Sequence, residues 1–299
     1  MNFSGKYKDL IHLEKLHVIS VSVFIDKLEA TNGGIGANIA YNYAQLGDSP
    51  ILLGSVGKDA SAYIEELKGV GINTDHVFYS DLPTASFNVL TDGDDNQIGG
   101  FYPGAMFDSK TLTLDKWVDQ EAFLVISAHD PNAMRAQAEQ AKQLGIRYMY
   151  DPGQQVSNLD GADMKAGVTG AEILSVNDYE LSVLCDKTDS TTEQLKTTIP
   201  IVLTTYGKDG SVIEGTKTKE PIRVHATKPA KVVDPTGAGD SYRAGFLYGY
   251  LRQWDLLTCG QLGSVFASFI VEKHGTQQIV AKEDIIKRYQ ETFNERIEL

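Results

Sequence analysis

Two hydrophobic patterns divide the chain into segments that predict strands and segments that predict helices. From Phe123 onward, short apolar runs alternate with stretches in which apolar residues recur every three or four positions. Short apolar runs are typical of buried strands, and the longer spacing is typical of helices. The predicted strands are Ile51–Val56, Phe123–Ser127, Arg147–Tyr150, Ala171–Val176 and Pro200–Thr205, and the predicted helices are Asp59–Leu67, Pro131–Leu144, Asp178–Leu184 and Leu256–Val271. This alternation predicts an α/β fold with a mainly parallel sheet flanked by helices.

A second set of strand-like runs predicts a small separate sheet. Val18–Ile25 alternates with the period of a strand. Ala85–Thr91 and Gln97–Tyr102 form two further runs, joined by the turn Asp92–Asn96. Neither repeats nor a low-complexity linker interrupt the chain. We therefore expect one domain over residues 1–299, with the small sheet formed by segments at about 16–31 and 84–106.

Composition excludes several classes of protein. The chain has 299 residues and a net charge of −13, and no Lys/Arg cluster stands out, so nucleic acid is not an expected partner. No apolar run reaches the roughly 18 residues of a membrane span. The two cysteines, Cys185 and Cys259, lack metal-ligand spacing and fit buried thiols in a reducing compartment. We therefore expect a cytoplasmic protein.

The stretch Val233–Leu251 is the strongest candidate for chemistry. A short apolar approach, Lys231–Val233, predicts the end of a strand, and Asp240 then opens a helix. Between them, the near-absence of side chains at Gly237, Ala238 and Gly239 would let a phosphate approach unpaired helix amides. A carboxylate at such a site fits a base that accepts a proton from an attacking hydroxyl. The alternative is a glycine turn with an Asp helix cap.

A second glycine-rich stretch, Asn32–Asn38, also leads into a helix. Gly33 and Gly34 suit a close backbone approach, and Asn38 can both donate to and accept from a sugar hydroxyl. The alternative is a helix start that needs tight packing.

Polar residues follow three of the predicted strands. Asp130 follows the first, Asp151–Gln155 the next, and Asn177 with Glu180 the one after. Each could be a helix cap by itself. Because ligands bind beyond the carboxyl ends of parallel strands, the repeated placement indicates a site at this edge.

Together, the two glycine-rich stretches resemble the signatures of the ribokinase-like (PfkB) carbohydrate and nucleoside kinases. That family usually has Ser or Thr where Pro235 stands. The resemblance implies a ribokinase-like fold, in which the small sheet is a lid over the substrate. It also implies transfer of a phosphoryl group from ATP, with Asp240 as the base and the amides of Gly237–Asp240 stabilising the charge on the transferred group. Gly33, Gly34 and Asn38 would contact the hydroxyls of the substrate.

The same resemblance assigns the nucleotide and cation sites. Asn177 and Glu180 fit a motif that orders Mg²⁺ through water, and Asp234 and Thr236 resemble positions near a potassium ion in some relatives. The nucleotide contacts implied are Asn177, Thr205, Gly207, Gly210 and His274. For His274 the favoured interpretation is a helix-end histidine that complements the helix dipole. Neither Gly57-Lys58 nor Gly207-Lys208 is a P-loop, because Asp follows each lysine.

The lid and the DPGQQ stretch are closest in pattern to bacterial adenosine kinases. In those enzymes, aromatic residues at the positions of Phe87 and Phe101 line the purine pocket, and glutamines at the positions of Gln154 and Gln155 face the nucleoside. The resemblance therefore favours the 5′-hydroxyl of adenosine or a related purine nucleoside as acceptor. A sugar kinase for a ribose-like or fructose-like substrate is the alternative. Relatives often form homodimers through the lid.

One departure raises another alternative. Relatives open with a strand that ends in an Asp holding two sugar hydroxyls, whereas this chain aligns from Phe3 with residues after that strand. Its loss should leave neighbouring strands with unpaired backbone groups. A nucleoside-binding protein without turnover is therefore a further hypothesis. An NAD oxidoreductase is disfavoured, because no GxGxxG motif follows a strand.

Overall fold

The computed structural model describes residues 1–11, 17–18, 20–118 and 121–299. The helices in this part of the chain are α1 Tyr7–Leu10, α2 Ile35–Ala44, α3 Ser61–Gly69, α4 Pro131–Leu144, α5 Gly161–Val168, α6 Asp178–Thr188, α7 Thr192–Thr198, α8 Ala238–Leu251, α9 Leu256–Ile270 and α10 Lys282–Phe293. The strands are β1 Gly54–Gly57, β2 Val77–Ser80, β3 Ser86–Thr91, β4 Gln97–Tyr102, β5 Phe123–Ile126, β6 Arg147–Tyr150, β7 Ile173–Asn177, β8 Ile201–Thr205, β9 Ser211–Glu214 and β10 Ile222–Val224.

The largest sheet has the strand order β10-β9-β8-β7-β6-β5. Strands β5 to β8 are parallel, and β9 and β10 pair antiparallel at one side. Alternate residues of its strands enter two separate buried clusters: Met149 and Ile173 pack with α8 and α9, whereas Tyr148 and Leu174 pack with α4 and α6. The predicted parallel sheet covered by helices on both faces is confirmed.

The predicted lid hairpin is confirmed, but the third lid strand predicted at Val18–Ile25 is not formed by its described residues. β3 and β4 pair antiparallel from Ser86↔Tyr102 to Thr91↔Gln97. Residues 20–25 form no strand, and Ile19 lies outside the described residues. Met1–Phe3 lies beside β3 instead: the Phe3 amide donates to the Thr91 carbonyl (3.1 Å), and the Thr91 amide donates to the Met1 carbonyl (2.9 Å).

The alternating pattern of Val18–Ile25 was misleading because none of its apolar side chains is buried among the residues that the structure describes there. Phe24 is 96% exposed, and Val21 and Ile25 are also exposed. Hydrophobic residues at every second position indicate a strand only where a partner strand can pair with it and one of its faces is buried.

Two other expected strands differ from the structure. The approach Lys231–Val233 is not a strand; Val232 is 69% exposed, and the Val233 amide donates to the Val271 carbonyl at the end of α9 (2.7 Å). The run beginning at Ile51 becomes regular strand only at Gly54, and Ile51 itself makes an isolated bridge to Asn73. In both places, packing against a neighbouring segment replaces continuous sheet pairing.

The sheet is interrupted beside β5. Among the described strands, β5 pairs only with β6, and β1 pairs only with β2 in a separate parallel sheet. The two sheets are nonetheless close, because Leu53, just before β1, packs against the buried cluster that contains Ile126 of β5. The break in pairing lies between β5 and β1. The absence of the first strand found in relatives stays a prediction.

None of the described helices is long and apolar enough to cross a membrane.

Helices α8 and α9 make close contact through glycine. A Cβ atom on Gly245 would lie 2.9 Å from the Cα of Gly263 and 3.0 Å from the Leu262 carbonyl oxygen. Such distances cannot be relieved by a side-chain rotation, since the neighbouring atoms are backbone. The helix contact therefore depends on the missing side chain at Gly245.

We expect Gly245→Ala to destabilise the protein by about 1–3 kcal/mol, the usual cost of overpacking, even though alanine favours helix by about 1 kcal/mol. Gly69→Ala at the end of α3 is the control, because a Cβ atom there meets open space. It should leave the free energy of unfolding equal or slightly higher. Urea unfolding of both variants measures this, and an unaltered midpoint for Gly245→Ala would contradict the close contact.

Candidate active site

The N-terminus of α8 forms an amide cradle. Gly237 is its N-cap with φ of 82°, and a Cβ atom there would lie 2.8 Å from the Cβ of Thr276. Both the left-handed backbone and the contact require glycine. The Ala238 amide donates to the Pro235 carbonyl (3.3 Å), whereas the amides of Gly239 and Asp240 donate no bond within the described residues. These two N–H groups are therefore available to an anion.

Asp234 stabilises the loop that precedes the cradle. One carboxylate oxygen accepts a bond from the Thr236 amide (2.9 Å), and the other accepts from the Gly275 amide (3.2 Å). Partial burial raises the pKa of Asp234, but these bonds outweigh it and hold the pKa below its usual value. Asp234 thus ties the cradle to the loop after α9. Cation binding by Asp234 and Thr236 stays a prediction.

Asn38 joins the N-terminal regions of α2 and α8. Its amide Nδ2 donates to Oδ2 of Asp240 (2.8 Å), and its Oδ1 accepts from Thr276 (2.9 Å) and Gln277 (3.0 Å). Asn38 and Asp240 are both buried. The predicted contact of Asn38 with substrate hydroxyls stays a prediction, and it would require one of these bonds to be exchanged.

The environment of Asp240 suits a proton acceptor. Burial raises the pKa of its carboxyl group, and the nearby Arg243 guanidinium and the Asn38 amide oppose that rise without cancelling it. A carboxylate with a raised pKa accepts a proton more readily than one in water.

Asn177 and Glu180 form the capping box of α6. Oδ1 of Asn177 accepts from the Glu180 amide (2.7 Å), and Oε2 of Glu180 accepts from the Asn177 amide (2.8 Å). The other Glu180 carboxylate oxygen makes no hydrogen bond within the described residues. An anionic oxygen left free in this way fits a group that orders the water shell of Mg²⁺.

Three of the nucleotide-contact candidates, Thr205, Gly207 and Gly210, lie at the end of β8, the strand that pairs with β7, or in the turn after it. Thr205 at the end of β8 lies directly opposite Asn177 at the end of β7. The turn after β8 explains Gly210, since its φ is 93° and a Cβ atom would lie 2.1 Å from the Val224 carbonyl oxygen. At Gly207, φ is 56° and a Cβ atom would meet nothing within 4 Å, so packing does not explain this glycine.

His274 is placed differently from the favoured interpretation. α9 ends at Ile270, so His274 is four positions beyond the helix and is exposed. It cannot complement the dipole from the last helical turn, where that effect is confined. The helix-end interpretation was wrong because α9 ends within one residue of its predicted end, so three residues separate His274 from the helix, and the chain there turns towards Asp234. Its place beside ATP stays a prediction.

The two glutamines after β6 are not equivalent. Nε2 of Gln155 donates to the His129 carbonyl (2.8 Å), and its Oε1 accepts from Asn158 (2.9 Å). Gln154 is exposed and makes no side-chain hydrogen bond within the described residues. Gln154 is thus the glutamine with a free amide.

Phe87 and Phe101 are direct cross-strand partners in the lid hairpin. They are 68% and 55% exposed, so their rings do not fill a core. A Cβ atom on Gly99 would lie 2.7 Å from the Phe87 ring, so glycine leaves space for that ring. The pair offers two adjacent aromatic surfaces suited to a planar ligand.

The paired glycines Gly33 and Gly34 shape the backbone before α2. Gly34 is the N-cap of α2 with φ of 93°, and the Gly33 carbonyl accepts from the Tyr63 hydroxyl (2.9 Å). A Cβ atom on Gly33 would meet nothing within 4 Å, so open space lies in front of this residue.

A known protein family matches almost the whole chain. A model of the pfkB family carbohydrate kinases matches residues 8–283. The chain belongs to this family. A nucleoside kinase of Methanothermobacter thermautotrophicus is 36% identical over 286 residues, which cover 94% of this chain and 91% of that protein.

Solved structures agree with the family assignment. The nucleoside kinase of Burkholderia thailandensis in complex with inosine has a TM-score of 0.87 and 27% identity, covering 99% of this chain and 96% of that one. Its complex with ADP-inosine has a TM-score of 0.84 and 28% identity, covering 99% and 93%. The protein is therefore a PfkB-family phosphotransferase of the nucleoside kinase and ribokinase group.

In this PfkB-family kinase, three residues at the site escaped prediction from sequence. Thr276 and Gln277 hold Asn38, and Arg243 contacts Asp240. Only Arg243 had a usable signal, since it is the one charged residue after Asp240 in the remainder of α8. The other two are polar residues in a loop, where sequence pattern carries little information.

We expect Gly237→Ala to lower the turnover of the kinase by about 10²-fold, because displacing the cradle by about 1 Å costs that much. Gly71→Ala is the matched control: its φ is 94°, but a Cβ atom there meets nothing within 4 Å. The control should lose some stability to backbone strain and keep its turnover. Steady-state rates on folded protein compare the two, and equal rates would contradict the role of the cradle.

Proposed function

We propose that this kinase transfers the γ-phosphoryl group of ATP to a primary hydroxyl, most readily the 5′-hydroxyl of adenosine or a related purine nucleoside. The observation that carries the proposal is the buried Asp240 carboxylate beside the free amides of Gly239 and Asp240. A proton acceptor next to unpaired backbone donors serves transfer of an anionic group to an alcohol.

The proposed reaction uses these groups in one displacement. The substrate hydroxyl forms a bond to the γ-phosphorus as the bond from that phosphorus to the ADP oxygen breaks. The hydroxyl proton passes to Asp240, and the cradle amides stabilise the charge on the transferred group. Removing one such donor typically costs about 3–4 kcal/mol of transition-state stabilisation.

Mg²⁺, when bound, would neutralise charge on the phosphates. Glu180 and Asn177 are the residues proposed to hold it, through its water molecules. The free Glu180 carboxylate oxygen supports this assignment, and the capping box fixes that side chain in place.

The nucleoside preference is supported by the lid and by relatives. Phe87 and Phe101 present adjacent exposed rings, and Gln154 has a free amide that could bond to a base edge. The nucleoside kinase of B. thailandensis was solved with inosine, which is a purine nucleoside. A sugar kinase is the second candidate, because each end of the Gln155 amide already makes a hydrogen bond within the protein, which leaves less of it for recognition of a base.

A substrate panel with an Asp240→Asn variant tests the proposal. We expect adenosine or inosine to give a kcat/KM at least about tenfold above that of ribose and fructose. Asp240→Asn should lower turnover by about 10²- to 10⁴-fold, the usual contribution of a general base, while calorimetry shows ATP binding retained. Near-normal turnover of Asp240→Asn would refute the base. Nucleoside binding without ADP release by the unaltered protein would refute turnover, and faster phosphorylation of free sugars would favour the second candidate.

We expect Glu180→Gln to separate the two roles of Glu180. Glutamine can replace glutamate in a capping box, so the free energy of unfolding should change by less than about 1 kcal/mol. The lost negative charge should raise the Mg²⁺ concentration needed for half-maximal rate at least about fivefold. Gln194→Glu in the capping box of α7 is the reciprocal control and should alter neither property. An unchanged Mg²⁺ requirement for Glu180→Gln would contradict the assignment.

A further inference from the structure

Arg243 connects three elements beneath the cradle. Its Nη1 lies 3.3 Å from Oδ1 of Asp240, and its Nη2 donates to Oδ1 of Asp151 (2.7 Å). Its Nε donates to the Ser175 hydroxyl (3.2 Å). The guanidinium thus bridges α8 to Asp151, directly after β6, and to Ser175 in the middle of β7, and its planar shape is held at three points.

Asp151 differs from the other polar residues at this edge of the sheet. Asp130 caps α4 and Asn177 caps α6, whereas the side chain of Asp151 is bonded, among the described residues, only to Arg243. Asp151 is fully buried, and its Oδ2 has no partner among the described residues. Burial raises its pKa to about 7 despite the guanidinium. A buried ion pair of this kind adds little stability in comparison with apolar side chains, so stability alone is a weak reason for it.

The charged groups around Asp240 come from three packed elements. Arg243 lies on its own helix, Glu180 on α6, and Asp151 at the end of β6; α2 contributes the neutral amide of Asn38. Burial and Glu180 favour the protonated acid, whereas Arg243 and Asn38 favour the carboxylate. Arg243 is thus the one positive charge among these groups.

We propose that Arg243 and Asp151 are a positioning pair for Asp240: the guanidinium keeps the carboxylate ionised and oriented, and Asp151 anchors the guanidinium. The inference rests on the proposed role of Asp240 as the general base. Arg243 does not itself give up or accept a proton in the reaction.

The test separates the effect of the Arg243 charge from the effect of its anchoring by Asp151. The rate of the chemical step is measured in single turnovers as a function of pH. In Arg243→Met the charge is lost, so the acid limb of the rate profile should move up by about one pH unit or more, and the rate at its plateau should fall at least about tenfold. Arg243→Lys and Asp151→Asn keep a positive charge at position 243 but hold it less firmly in place. Their plateau rates should fall at least about fivefold with the substrate KM within about threefold, and their acid limbs should not move up.

Arg252→Met is the matched control. Arg252 lies at the other end of α8 and is ion-paired with Asp48 (2.8 Å), so the variant removes a comparable contact far from Asp240. Its acid limb and its plateau rate should match those of the unaltered protein.

The proposed positioning pair is overturned if the acid limb of Arg243→Met stays in place. It is also overturned if the plateau rate of Arg243→Lys equals that of the unaltered protein. If Arg243→Met does not fold, the double variant Arg243→Met/Asp151→Asn removes both charges and should show the same upward shift; an unshifted limb there also overturns it. Asp240→Asn distinguishes failure of the proposed function from failure of the positioning pair. Near-normal turnover of that variant sinks the proposed function, whereas its inactivity with an unshifted limb in Arg243→Met sinks only the positioning pair.

Discussion

The site depends on keeping one carboxylate charged while it is buried. Asp240 is removed from water, and an isolated carboxylate there would take up a proton. Asn38 and Arg243 supply the donors that oppose this. Because Asn38 comes from a helix more than 200 positions earlier in the chain, the bond also fixes where α2 and α8 meet.

That meeting point accounts for the small residues on both sides of it. Gly34 is the N-cap of α2 and Gly237 is the N-cap of α8, each with a backbone conformation that other residues rarely adopt. Thr276 lies against Gly237 and bonds to Asn38, so the loop after α9 closes the arrangement. The same geometry that brings donors to Asp240 leaves the amides of Gly239 and Asp240 unpaired within the described residues, and these are the amides proposed to hold the phosphoryl group.

Several polar residues at the sheet edge have a structural task as well as a proposed chemical one. Asn177 and Glu180 cap α6 through one oxygen each. A carboxylate has two oxygens, so a glutamate can hold a helix terminus with one and leave the other for a hydrated cation. Gln155 shows the opposite outcome, since both ends of its amide are bonded within the protein. Residue type and spacing cannot separate these cases, because the difference lies in what each atom contacts.

The sequence by itself determined the elements whose signals are local. Pro131–Leu144 and Gln97–Tyr102 were predicted to the residue, because a cap, a closing glycine or a tight turn lies within a few positions of each end. The motif that ends in Asp240 was found for the same reason. Tertiary structure decided what depends on partners distant in sequence. It left residues 20–25 without a strand and set Met1–Phe3 beside β3. It also paired Asp151 with Arg243 across 92 positions. Strand pairing and the burial of charge are properties of two segments in contact, and no local pattern records which segments will meet.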